Sequence, residues 1–257
     1  MTSNAPSGAV TFARYAYPPN LLGYCGPTDH GALLEYADAQ VVDGGLVELA
    51  RGFDGAWPYL QLIAGCSSIG DPLDPKVVEA YWIGNPLLET VGMSDLGSSL
   101  EERFRSRAAS EWERLSDLIP AGGLPHHSLH VFGVYPWLGL LRSGHVDQPM
   151  HVLDRCRIRW GTIEALVDDH AIVTYQPLAW REGRLVLGER TTERVTAADQ
   201  GRALALGLEV GDVVSMHWDW ICERLSPKQL RALQSYSQRT LDLVNGLPVP
   251  GPAAVLS

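Results

Sequence analysis

The chain has 257 residues, of which 46% are hydrophobic and 19% charged, with a formal net charge of -10 at pH 7. That length can bury one large core or two modest ones. The acidic balance, without a basic patch, excludes nucleic acid and anionic membrane as partners, leaving a protein or a small molecule. No segment approaches the apolar length that spans a bilayer, and no basic stretch leading into an apolar run opens the sequence. A cytoplasmic protein is expected.

In chain order, Tyr17-Pro-Pro-Asn20 precedes Tyr24-Cys-Gly-Pro-Thr-Asp-His30, a tight turn that presents Cys25. A cysteine before a glycine, with a histidine five residues on, suits a nucleophile or a metal ligand. Asp29 fits the N-cap of a helix over 31–38. Asp43 leads into a helix at Gly44, Pro58 sits in the first turn of one over 57–64, and Asp74-Pro75 starts another. Trp57, Tyr59, Tyr81 and Trp82 fall at helical spacing and read as core. Leu100, Phe104, Ala108, Trp112, Leu115 and Leu118 recur every three or four residues and predict a helix over 98–118.

Pro125-His-His-Ser-Leu-His130 is the densest histidine cluster. On a helix His126 and His130 share a face, as do His127 and His130, and either pair suits metal chelation. The apolar run over 131–141 then packs between the two halves of the chain. No phosphate-binding or dinucleotide glycine pattern occurs. Cys25, Cys66, Cys156 and Cys222 are far apart and form no CxxC pair, so reduced thiols are expected.

Near residue 148 the pattern switches to short runs rich in β-branched and aromatic residues, separated by turns at Asp168-Asp169 and Glu182-Gly183. Strands are expected from Cys156 onward, over 162–166, 171–175, 184–187 and 191–195, with one long strand over 212–224 carrying His217. Ser226-Pro227 caps a final helix that turns Leu230, Leu233, Leu241 and Val244 inward and stops at Asn245-Gly246. Strands of this length protect their edges by closing. The expected fold is α+β: an N-terminal α-helical domain over 1–148, then a small OB-like β-barrel with a C-terminal helix over 149–257.

The second half resembles the small HypC-type chaperones of [NiFe]-hydrogenase maturation. The resemblance rests on Cys156 followed five residues later by Gly161, on the strand after it, and on Gly211-Asp-Val-Val-Ser-Met-His217 running into a polar helix; it covers about residues 150–245. It implies that Cys156 and His217 are iron-binding residues, that the cargo is iron with or without cyanide and carbon monoxide, and that the partners are hydrogenase maturation proteins or the hydrogenase large subunit. A thiolate with a neutral imidazole suits iron, zinc, copper or nickel on chemical grounds alone. In that family the cysteine is N-terminal and a proline precedes the glycine, whereas Cys156 is internal and Trp160 takes the proline's place. Arg157 and Arg159, expected to alternate outward, either lower the Cys156 pKa or form a solvated strand face. The whole chain also resembles, loosely, an uncharacterised bacterial family associated with hydrogenase genes.

Two functions follow as expectations. One is a metallochaperone or scaffold holding iron through Cys156 and His217. The other is an enzyme whose site lies in the helical half, with Cys25 as nucleophile or His126, His127 and His130 holding a metal, the barrel serving for docking.

Overall fold

The structure, a computed structural model, describes residues 7–104, 117–134 and 136–246. Helix α1 (Gly8–Leu21) opens the fold, capped by Ser7, and is buried along almost its whole length. Around it lie α2 (Ala32–Ala39), α3 (Gly44–Arg51), α4 (Trp57–Cys66) and α5 (Pro75–Trp82). Asp43 and Asp74 cap α3 and α5 as their sequence positions predict. The N-cap of α2 is Gly31 rather than the expected Asp29, whose Oδ1 nevertheless accepts from the N–H groups of Gly31 and Ala32 at the start of the helix. A 3-10 turn (Pro86–Thr90) leads to α6 (Met93–Phe104), which starts five residues before the predicted helix. The rest of that helix, with Ala108, Trp112 and Leu115, lies outside the described residues.

After α7 (His127–Leu129) and a π turn (His130–Val134) come α8 (Trp137–Arg142) and α9 (Asp147–Cys156). Cys156 therefore ends a helix; it does not open a strand. Pro149 falls in the first turn of α9, where its missing N–H costs nothing. Val152 and Leu153 are buried, and the chain becomes extended only at Arg157.

The strands are β1 (Arg159–Val167), β2 (His170–Tyr175), β3 (Leu178–Arg181), β4 (Arg184–Leu187), β5 (Thr191–Thr196), β6 (Val213–His217) and β7 (Trp220–Arg224), followed by α10 (Pro227–Gly246). Pairing runs β1-β2-β5-β7-β6 and from β6 back to β1, with the β5–β7 link made by the single parallel pair Thr196↔Trp220. β3 and β4 form a separate two-stranded ribbon. The single long strand expected over 212–224 is instead a hairpin, β6–β7, turning at Trp218-Asp219. Trp218 takes φ 51°, a left-handed conformation that a bulky residue rarely adopts and that no residue-type signal announces. Tertiary bonds hold it there: its N–H donates to the Arg155 carbonyl (2.8 Å), and its carbonyl accepts from Arg159.

Gly161 answers to a close approach between strands. A Cβ there would lie 2.5 Å from Val173 Cγ1 and 2.7 Å from the Thr174 carbonyl oxygen. Ile163, Ala171, Val173, Val195, Val214, Met216 and Ile221 fill the inside of the strand ring. A second, larger cluster joins the helical half to the strand half, running from Phe12, Leu60 and Trp82 to Leu178, Trp220, Leu233 and Leu241. Burying an apolar side chain of this size stabilises by about 1.5–3 kcal/mol, so this shared core binds the halves firmly. Val131, Phe132, Leu138 and Leu141, from the apolar run predicted to pack between the halves, belong to it.

Arg157 and Arg159 do not face outward. Arg157 is 3% exposed and donates to Asp154 Oδ1 (3.1 and 3.0 Å) and to the Gln176 carbonyl (2.7 Å); Arg159 is fully buried and pairs with Glu193. Sequence alternation failed here because both guanidiniums find buried partners, which is what allows a charge to leave water.

A candidate metal centre between the two halves

Three elements meet under α1. α7 brings His127, the end of α9 brings Cys156, and the end of β6 brings His217. One ligand atom from each lies within 4.8 Å of the others, and both histidines are nearly inaccessible to solvent. The rings of His127 and His217 meet edge to face at 5.2 Å, and Trp82 packs against both. These residues line a cavity of about 110 Å³ with Cys25, Tyr24, Phe53, Tyr81, His130 and Trp218.

Backbone carbonyls that the helices leave spare orient the two imidazoles. In α1 the Tyr15 carbonyl would ordinarily accept from the N–H of residue 19, but residue 19 is Pro19, which has none. His217 Nδ1 takes that place, 2.6 Å from the Tyr15 oxygen. A carbonyl only accepts, so Nδ1 carries the proton and the Nε2 lone pair is free. His217 Nε2 is buried with no hydrogen-bond partner among the described residues.

At the other side, the Cys156 carbonyl is an orphan of the α9 C-terminus, and His127 Nε2 donates to it at 2.8 Å. This leaves the His127 Nδ1 lone pair facing the Tyr81 hydroxyl at 3.2 Å. Histidines that bind metals are oriented in this way, through the second ring nitrogen.

Burial sets the charge states. Desolvation lowers the His127 pKa to about 4 and holds that of His217 well below its usual range, so both rings are neutral near pH 7. Burial raises the Cys156 thiol, with the nearby Cys25 adding to the effect. Arg157 and Arg159 thus do not produce a thiolate at Cys156: they are engaged elsewhere, and burial dominates. Two neutral imidazoles and an un-ionised thiol suit a soft or borderline metal, which displaces the thiol proton on binding. An orphaned buried Nε2 beside a sulfur fits such an ion.

The helix end and the strand hairpin that carry Cys156 and His217 are tied together. Arg155 bridges Glu193 (3.0 Å) and Asp219 (2.9 Å), and Arg159 reaches both Glu193 and the Trp218 carbonyl. Tyr24 stacks on Trp218 with ring centres 4.5 Å apart, covering one side of the cavity.

The remaining sequence candidates divide. Cys25 lines the same cavity, but burial pushes its pKa up to about 12, and no hydrogen bond joins its thiol to a histidine among the described residues. That environment works against an activated nucleophile. His126 does not share a helical face with His130. It is the extended N-cap of α7, its Nδ1 accepts from Ser128 N–H (3.2 Å), and its ring stacks on Tyr236 of α10. His130 lines the cavity and packs edge to face on Tyr59. Of the three histidines, His127 alone has a ligand atom in the close group. Sequence spacing suggested chelation within 126–130; the partners come from 29 and 90 residues further along the chain. Tyr81 and Trp82, read as core, are both core and cavity wall.

The fold and site define an α+β protein with a partly exposed cysteine and two buried histidines converging where a helical half meets a ring of strands. The chain belongs to a family of unknown function (DUF6390), whose model matches residues 4–249. No curated protein and no solved structure matches it. No helix among the described residues is long and apolar enough to cross a membrane.

Proposed function

We propose that this chain is a metallochaperone or scaffold of hydrogenase-maturation type, which handles an iron centre through Cys156 and His217 with His127 as a third donor. The observation that carries the reading is the approach of these three ligand atoms to within 4.8 Å, which unites the two residues of the HypC resemblance and adds one from the helical half. In this reading the strand ring is an OB-like barrel of the HypC kind, the protein works in the cytoplasm, and its partners are maturation proteins or the hydrogenase large subunit. Three protein donors, or four on a six-coordinate iron, leave coordination positions open, as a carrier requires. The cavity wall is largely apolar, and iron with its small ligands, cyanide and carbon monoxide among them, is the cargo.

The test is anaerobic purification of the chain with its partners, iron analysis, and infrared spectroscopy in the region of metal-bound cyanide and carbon monoxide. Iron and those bands in the parent, lost in Cys156→Ala and in His217→Ala, are the expected result. Retention of iron and bands in both variants overturns the reading.

A further inference from the structure

Burying a divalent ion among one thiolate and two neutral imidazoles leaves a net positive charge in a largely apolar cavity, an arrangement that is unfavourable unless another anion is present. Acids on the surrounding elements are engaged: Glu193 with Arg155 and Arg159, Asp154 with Arg157, and Glu223 with the Tyr15 hydroxyl at 3.0 Å. Arg159, buried and cationic, makes the shortage worse. Among the described residues the wall carries a second thiol that can supply the missing charge.

Cys25 lines the cavity and is near enough to Cys156 for the charge of one to raise the pKa of the other. Its loop is held in place. The fully buried Asn20 donates through Nδ2 to the Cys25 carbonyl (2.9 Å) and to the Pro27 carbonyl (2.7 Å). Gly26, at φ 86°, lies so close to Phe53 that a Cβ would stand 2.4 Å from the ring. A loop anchored from both sides thus puts a thiol on the wall of the cavity that holds the orphaned His217 Nε2, although that thiol is not one of the three donors already within 4.8 Å of one another.

We infer that Cys25 is a second thiolate donor to the ion held by His127, Cys156 and His217, giving a two-nitrogen, two-sulfur site that is electrically neutral for a divalent soft or borderline metal. This rests on the metal-handling reading above. Binding requires the Cys25 thiol to move in toward the trio, which it does not join in the metal-free chain. Metal binding then expels both thiol protons to solvent: two S–H bonds break, two metal–sulfur bonds form, and no oxidant is needed.

Cobalt(II) alone, added anaerobically to the reduced full-length chain, reads the thiolate count. The parent shows sulfur-to-cobalt charge-transfer absorption and releases about two protons per ion. In Cys25→Ser the absorption per bound cobalt halves and proton release falls to about one; Cys25→Ala does the same, so a serine oxygen acting as ligand does not mask the loss. Cys66→Ser, at a thiol outside the cavity, changes neither. Unchanged absorption and proton count in both Cys25 variants overturns the inference while leaving the metal site of Cys156 standing. A loss in Cys66→Ser equal to that in Cys25→Ser overturns it too, as scattered thiol binding. A parent that takes up no cobalt overturns both this inference and the reading beneath it.

Discussion

Pro19→Ala separates stability from metal binding, because Pro19 weakens α1 while freeing the carbonyl that orients His217. A proline inside a helix costs about 3 kcal/mol relative to alanine. Removing the buried ring's extra methylenes gives back about 1.6 kcal/mol of that gain, at ~0.8 kcal/mol for each of two. The substitution should therefore stabilise the metal-free chain by about 1 kcal/mol, a rise in Tm of about 2–4 °C for a chain of this size. The restored N–H competes with His217 Nδ1 for the Tyr15 oxygen, now 2.6 Å from that nitrogen. Loss of such an orienting partner typically lowers metal affinity about 10- to 100-fold, and because a carbonyl has two lone pairs the lower end, about 10-fold, is expected here. Thermal melting in the presence of chelator gives the first quantity, and competition titration with a chromophoric chelator gives the second. A variant that melts higher yet binds metal as the parent does refutes the account of the freed carbonyl. So does one whose affinity falls only as far as its stability does.

Arg159→Met removes one partner of a buried ion pair and should cost about 3–5 kcal/mol. With about 2–4 °C per kcal/mol, Tm falls by about 6–20 °C; adding Glu193→Gln should recover part of it, and a single variant that melts like the parent contradicts the role given to that pair. Gly26→Ala places a methyl against Phe53 at a left-handed backbone position, and should lower Tm and quench the ordering of the Cys25 loop, read by faster alkylation of Cys25. The pH dependence follows from His126, whose pKa burial lowers to about 3. A base depressed in the folded state contributes stability that is complete above its unfolded pKa of about 6.5 and is lost as pH falls toward 3. His126→Phe keeps a ring against Tyr236, so in chelator its stability should fall less steeply than the parent's between pH 6 and pH 4; parallel acid limbs count against the assignment.

Caps and first-turn prolines disclosed the helices beginning at 44, 57 and 75, and alternation and turn residues disclosed strands over 162–166, 171–175, 184–187 and 191–195, whereas α1, α8, α9 and β3 went unpredicted. It misplaced what depends on tertiary partners. The Trp218 turn has no glycine or asparagine to mark it; Arg155 and Arg159 hold it. Cys156 looked like the start of a strand because the HypC order puts a cysteine there, yet Asp147, Pro149 and the apolar Val152 and Leu153 were already a helix signal. His127 was visible as a histidine but not as a partner of Cys156 and His217, since helical spacing within 126–130 pointed inward to its own cluster. Pro18-Pro19 was the one signal that bears on ligand orientation, because a proline in a helix always frees the carbonyl four residues before it.

The placement of these groups accounts for the large helical half ahead of the strands. Cys156 at the end of α9 and His217 at the end of β6 would, without the helical half, lose the walls that enclose them. The helical half supplies His127 of the close group, the acceptor for His217 in Tyr15, the apolar walls in Phe53, Tyr81 and Trp82, and the Cys25 thiol on the cavity wall. The strand half in turn supplies the Trp218 turn that Tyr24 stacks upon, and α9 supplies the carbonyl that His127 needs. Each half holds groups whose hydrogen bonds are completed only by the other, which makes the junction a unit of both folding and chemistry. A low-dielectric enclosure raises the cost of an unpaired charge and strengthens every donor bond within it. The same enclosure that makes a bare thiol reluctant to ionise would therefore favour a centre whose charges balance.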